Sequence, residues 1–206
     1  MTSYTMSRQG WISVDFAPWI WIPCPPVFPE GFDLSSWAWL FAQEWWANSG
    51  REHTEPEVRL LAITLAQIRE CAYAELAMHQ GFIHLPEIGL PPLLVSFGLW
   101  EAAGERTEQL RAFVHADDPE AIEPPEVTEF ATRRLGPGLK SLAYTRRNVT
   151  VSAHLNYAWR SDEHGAALRM FTASPDLGRL QRALPDIEQL ARGVTIIPRP
   201  DGSEGT

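Results

Sequence analysis

The sequence predicts an α+β fold: a single domain over residues 1–198, built as a mainly antiparallel sheet with long helices packed on it in an α/β/α sandwich-like arrangement. Two patterns carry this expectation. Residues 55–78 repeat apolar side chains at steps of three and four, while residues 149–160 alternate between an apolar and a wetter face. Between and around them run short apolar stretches divided by proline and glycine. No internal repeat and no linker divides the 206 residues.

Residues 10–28 read as extended. In "GWISVDF" the even positions Ile12, Val14 and Phe16 form the apolar face. "WIWI" is apolar on both faces, as in a strand covered on both sides, so Trp19 and Trp21 are expected in the core. Pro23, Pro25, Pro26 and Pro29 end this stretch because proline cannot donate to a ladder. The two extended pieces are expected to pair as an N-terminal hairpin. Asp33 then caps a helix over 34–48. "TEPE" at 54–57 has capping-box spacing and opens the helix that runs to about Met78, with Val58, Leu61, Leu65, Ile68, Ala72 and Leu76 as its stripe.

After Gly81 the texture becomes β. "GFIHLP" and "PPLLVSFGLWEA" are strands, a short helix covers 105–115, and strands follow at 126–135, 139–146, 149–160 and 166–173. In the third of these, Val149, Val151, Ala153, Leu155, Tyr157 and Trp159 face one way; Thr150, Ser152, His154, Asn156, Ala158 and Arg160 face the other. Asp176 and Asp186 are placed to cap successive helical turns, Gly193 stops the helix, "VTIIP" is a last strand, and 199–206 is a flexible tail.

Composition excludes several functions. The net charge of −9 repels phosphate backbones and no basic stripe interleaves with aromatics, so no nucleic-acid partner is expected. Sixteen arginines stand against one lysine, Lys140, a skew read as the codon usage of a GC-rich bacterial genome. No apolar run reaches the ~20 residues of a membrane span, and the N-terminus lacks the apolar block of a secretory signal, so the expected location is cytoplasmic. Cys24 and Cys71 lack zinc spacing and are expected as buried thiols, Cys71 inert in mid-helix and Cys24 the more accessible in principle.

No catalytic motif is present. The six histidines show neither HExxH nor HxH spacing, and GxSxG and SxxK are absent. Neither a metal nor a cofactor is expected. His154 is the one histidine singled out, because it lies on the wetter face of a long strand beside Asn156. His79 and His84 read as turn residues, and His115 as a favourable charge at a helix end.

The aromatics are the concentrated feature. Seven of the nine tryptophans fall in the first 46 residues. On the 34–48 helix, Leu34, Trp37, Phe41 and Trp45 share one face and are expected in the core, while Trp39 and Trp46 lie on a second face. One helix seldom buries two opposite aromatic faces, so Trp39 and Trp46 are the candidate binding surface.

The stretches "VDFAPWIWIPCPP" and "LRMFTASPDLGRLQRALPDIEQLARGVTII" give the chain an element order that resembles the PsbP-like α/β/α sandwich. That resemblance implies a non-enzymatic accessory or binding protein. The function expected from the sequence is therefore a non-catalytic adaptor that engages a protein partner through an aromatic surface. The alternative is a small-molecule-binding protein or hydrolase-like enzyme, with a pocket between the sheet and the 34–48 helix where Trp19, Trp21 and His154 meet.

Overall fold

A computed structural model of the chain describes residues 10–75 and 80–198, and gives the element order β1 (Gly10–Val14), β2 (Trp21–Cys24), α1 (Leu34–Asn48), α2 (Glu55–Glu75), β3 (Gln80–His84), β4 (Leu93–Glu101), α3 (Arg106–Phe113), β5 (Glu126–Glu129), β6 (Gly138–Arg147), β7 (Thr150–Ser161), β8 (Ala166–Ser174), α4 (Leu177–Arg192) and β9 (Val194–Pro198). The expected α+β class holds. A seven-stranded antiparallel sheet runs β2-β3-β4-β8-β7-β6-β5, and β1 and β9 form a two-stranded sheet of their own. The expected tail at 199–206, His79 and the end of the second helix at 76–78 lie outside the described residues.

The expected N-terminal hairpin does not form. β1 pairs antiparallel with β9, Ile12 opposite Ile196 and Val14 opposite Val194, whereas β2 pairs with β3. The parity read from the sequence still holds, since Ile12 is buried while Trp11 is exposed. What failed was the partner, because pairing over such a sequence distance leaves no local mark. "WIWI" is also not one strand. Ile20 N–H donates to Ala17 O at 3.2 Å, closing a β-turn with Pro18 at its second position, where a fixed φ is favourable. Trp19 is thrown outwards and β2 begins only at Trp21. Pro23 sits inside β2, opposite Phe82, which is tolerated because β2 is an edge strand.

The chain divides into two compact units, residues 17–96 and the chain on either side of them. In the first, α1 and α2 pack together over β2 and β3. Asp33 Oδ1 accepts from Ser36 N–H at 2.7 Å and starts α1. Glu57 Oε2 accepts from both the N–H and the hydroxyl of Thr54 at 2.7 Å, which forms the glutamate arm of the expected capping box, while Glu57 N–H donates to Thr54 O rather than to the hydroxyl. Trp37, Ala38, Ala42 and Trp45 join Val58, Ala62, Leu65, Ile22, Cys24 and Ile83 in one apolar cluster. The indoles are anchored too: Trp37 Nε1 donates to Pro23 O at 3.2 Å and Trp45 Nε1 to Leu85 O at 2.6 Å. Arg69 of α2 stacks on Phe28 and Tyr73 and donates to the carbonyls of Pro25 and Pro26, holding the proline turn.

The cysteines are the reverse of expectation. Cys24 is fully buried and Cys71 exposed, because position 71 lies beside Gln67 and Glu70 on the outward side of α2 while Ala72 turns inward.

In the second unit α3 and α4 cover opposite faces of β6–β8. Ala158 and Ala167 face α3, packing with Leu110, Phe113 and Val114. The small side chains there let the helix approach closely. Ala153 and Leu155, of opposite parity, face Leu177, Leu180 and Leu184 of α4. Asp176 caps α4, accepting from Arg179 N–H at 2.8 Å. Asp186 does not start a second helix: α4 continues past it as one helix, with Pro185 in its interior. Arg134 ties the β1–β9 pair to this unit, donating to Gly193 O at 2.9 Å and pairing with Asp15.

Candidate functional site

The structure places the three residues singled out from sequence as follows. Trp39 and Trp46 are each half-buried and pack against the α1–α2 core cluster. Trp46 also stacks on His53 at 5.5 Å, and its ring N–H is buried without a partner. His154 lies on β7 in the other unit, half-buried, with Nε2 2.8 Å from the Thr145 hydroxyl. Among the described residues its ring bonds to that hydroxyl and to no carboxylate. Asp118 acts on it only through its field.

The aromatic side chain that does reach solvent is Trp19, 73% exposed at the apex of the Ala17–Ile20 turn. It borders a cavity of about 320 Å³ with Pro18, Trp45, Pro86 and Ile88, and with Asn48, Ser49, Arg51 and Glu87 as its polar lining. The construction is legible residue by residue. Trp45 reaches the floor because α1 presents it inward and Leu85 O fixes its ring. Arg51, just past the end of α1, donates to Glu87 at 2.6 Å and to Ile88 O at 3.3 Å, clamping the 86–88 segment. The aromatic and proline rings leave an apolar slot with a polar edge. The alternative expectation brought Trp19, Trp21 and His154 together; the cavity gathers Trp19 with Trp45, while Trp21 is buried against the His84 ring at 4.6 Å.

The second unit holds two further features. An apolar cavity of about 440 Å³ lies between α4 and the sheet, lined by Leu142, Leu155, Leu180 and Leu184 among others. On the opposite face of the same strands a buried polar chain crosses β6, β7 and β8. Ser141 hydroxyl donates to Val114 O, Asn156 Nδ2 donates to Ser141 Oγ at 3.4 Å, and Arg169 Nη2 donates to Asn156 Oδ1 at 2.7 Å. His115, in left-handed backbone at φ 54°, lines an open cavity of about 460 Å³ with Glu108, Arg111, Asp117 and Asp118. Burial, and then the positive charge of Arg169, hold the His115 imidazole below its usual range. Burial also depresses His154, opposed by Asp118 and reinforced by Arg169.

Sequence reasoning missed Trp19 as a surface residue and missed Arg169, Asn156 and Ser141. For Trp19 the available signal was Pro18, which begins a turn as readily as it interrupts a strand. For Arg169 it was the lone charge inside the apolar run "AALRMFTAS".

Among the described residues no helix is long and apolar enough to cross a membrane, and no group of three or more His, Cys, Asp or Glu is placed to hold a metal ion. No protein-family model and no curated protein matches the chain. A solved structure, LpqN, involved in cell envelope biogenesis of Mycobacterium tuberculosis, is similar at 12% identity over 58% of this chain and 72% of that one, with a TM-score of 0.45.

Proposed function

We propose that the chain is a non-catalytic binding protein that takes an extended, proline-containing, positively charged segment of a protein partner into the Trp19 cleft. The observation that carries this reading is Trp19 itself, a tryptophan 73% exposed beside a preformed slot of tryptophan, proline and isoleucine side chains. Tryptophan is the residue type that most often dominates binding energy when a partner covers it. Aromatic-lined grooves take extended proline-rich chains because those chains lose little entropy on docking.

The charge of the partner follows from residues 17–96, which carry nine acidic side chains against three basic ones. All three basic groups are engaged: Arg51 with Glu87, Arg59 with Glu55, and Arg69 with the Pro25 and Pro26 carbonyls. The uncompensated charge is therefore negative, which steers cationic partners and repels anionic ones. The PsbP-like resemblance of the sequence, with its accessory and binding proteins, points the same way. Trp39 and Trp46 support α1 from within rather than forming the contact.

The test is a pair of fluorescent peptide series, proline-containing with lysines or with glutamates at the flanking positions, titrated with the full chain. The lysine series binds, and Trp19→Ala weakens it about tenfold or more while leaving the melting temperature nearly unchanged. Equal binding by Trp19→Ala, equal binding of the glutamate series, or no binding of either series overturns the reading.

A further inference from the structure

The cavity between α4 and the sheet has a direction. Lys140, Leu142 and Tyr144 recur at every second position of β6, so the strand turns all three towards α4; Tyr157, Leu155 and Ala153 of β7 stand opposite them in turn. On α4, Leu177, Leu180 and Leu184 follow at steps of three and four and meet the same strip. The chain itself sets their alignment. Helix α4 starts three residues after Ser174, which pairs with Ala153, whereas Glu188 further along α4 reaches Lys140 at 2.8 Å. The slot therefore runs from a Tyr144–Leu177 end to a Lys140–Glu188 end, about 13 Å along the strand.

Its volume of about 440 Å³ is that of a small-molecule site, and its wall is made chiefly of five leucines. Water filling such a space leaves leucine side chains solvated inside the fold, and an aliphatic chain removes that contact. Among the described residues Lys140 is the one charged side chain of the lining, and it is a cation. Its ammonium gives one of three N–H groups to Glu188, which also accepts from Arg192 at 3.3 Å. Two cations thus meet one carboxylate, and a positive charge is left over. The Lys140 and Glu188 side chains are 20% and 25% exposed, open enough for a ligand's head group to reach and too enclosed for full screening. Leu177, 42% exposed, leaves the far end open to solvent.

We propose that this cavity binds a single-chain aliphatic carboxylate, its head group on Lys140 and its chain laid along the leucines towards Tyr144. An unbranched chain matches a slot that is long in the strand direction and confined between one helix and one sheet. The remaining N–H donors of Lys140 supply a charge-assisted hydrogen bond, which a neutral head group forgoes. A cationic head group meets the surplus positive charge and is rejected. The site is built from residues other than those of the Trp19 cleft, and neither test decides the other.

Calorimetric titration of the full chain with decanoate, decanol and decyltrimethylammonium, each below its micelle-forming concentration, tests this, with the amide resonances of residues 140–144 and 177–184 locating the site by NMR. Decanoate is expected to bind saturably and to shift those resonances, decanol to bind about tenfold more weakly, and the ammonium to bind weakest. Ala153→Phe fills the slot from the sheet side and abolishes binding. Lys140→Met keeps the aliphatic stem without the charge and lowers decanoate to the affinity of decanol. The proposal is overturned if decanoate does not bind saturably, if it shifts resonances only elsewhere, or if decanol or the ammonium binds as well as it does. It is overturned equally if Ala153→Phe binds as the wild type does, or if decanoate keeps its advantage over decanol in Lys140→Met. The wild-type titrations decide the matter even if a variant fails to fold.

Discussion

The ring N–H of Trp45 donates to the carbonyl of Leu85 at 2.6 Å, fixing the end of α1 against the residue that follows β3. Its sequence neighbour Trp46 has a ring N–H that is equally sequestered but reaches no acceptor. Adjacent tryptophans therefore respond oppositely to one substitution. Trp45→Phe keeps an aromatic ring but strands the Leu85 carbonyl, a loss of about 1–3 kcal/mol. Trp46→Phe removes a donor that is already unsatisfied and keeps a ring for His53, so its cost is that of the lost ring volume alone. Urea denaturation of the two variants measures the contrast. Equal losses would show that the Trp45 hydrogen bond contributes nothing.

The two thiols separate in the same way by environment. Burial raises the Cys24 thiol from the usual ~8.5 to about 12, with Arg69 a smaller opposing influence. At pH 8 it is protonated and enclosed, hence inert, while Cys71 is open to solvent. An aromatic disulfide reagent applied to the native protein is expected to titrate one thiol quickly, and Cys71→Ser to abolish that phase. The same shift makes stability pH-dependent. A raised folded-state pKa favours the neutral form, so its contribution is complete below about pH 8.5 and is lost as pH rises towards 12. Tyr73, raised by burial and hydrogen-bonded to Cys24 O at 2.7 Å, moves in the same direction. Cys24→Ala removes the thiol's part of this alkaline limb.

These features differ in how far the sequence disclosed them. Asp33, Asp176 and the Thr54–Glu57 box were legible because capping is a contact between near neighbours in the chain. The β7 alternation was legible because period two is local as well. The pairing of β1 with β9 was not, since nothing near residue 12 encodes a partner near residue 196. Trp19 was misplaced because apolar content says nothing about direction once Pro18 closes a turn. The face of β7 expected to be wetter is instead covered by α3, which buries Ala158 and Asn156, and Val149, expected on the apolar face, lies exposed just before the strand. Arg169 meets Asn156 of that face only through the β7–β8 register that sets Arg169 opposite Ala158, a pairing no local pattern encodes.

The acid limb of stability reports on two histidines. His115 and His154 are held neutral chiefly by burial, so each has a folded-state pKa below its unfolded one. Their contribution is complete above about pH 6.5 and is lost as pH falls through the lower folded values. The depressed carboxylates, Glu188 beside Lys140 among them, lose theirs at more acidic pH, so the two effects separate. His115→Asn suits the left-handed backbone at that position and does not titrate. Combined with His154→Gln, it is expected to flatten the melting-temperature profile between pH 6.5 and about 5. An unchanged profile would place the acid sensitivity elsewhere.

On β4, Trp100 folds back over Gly98, two residues away on the same face of the strand, so that a Cβ at position 98 would lie within the indole ring. The ring has little freedom to yield, because it also meets Phe113 of α3 edge-on at 5.1 Å. Gly98→Ala is therefore expected to cost about 1–3 kcal/mol, as overpacking does in a filled core. The cause is specific enough to be tested by a double-mutant cycle. In a Trp100→Leu background the obstruction is gone, and the same Gly98→Ala change becomes neutral or stabilising by up to about 1 kcal/mol, since alanine loses less backbone entropy than glycine on entering a strand. Guanidinium denaturation of the four proteins gives the coupling directly. A Gly98→Ala penalty of equal size in both backgrounds would mean that the glycine is required by its backbone, and that the tryptophan has no part in it.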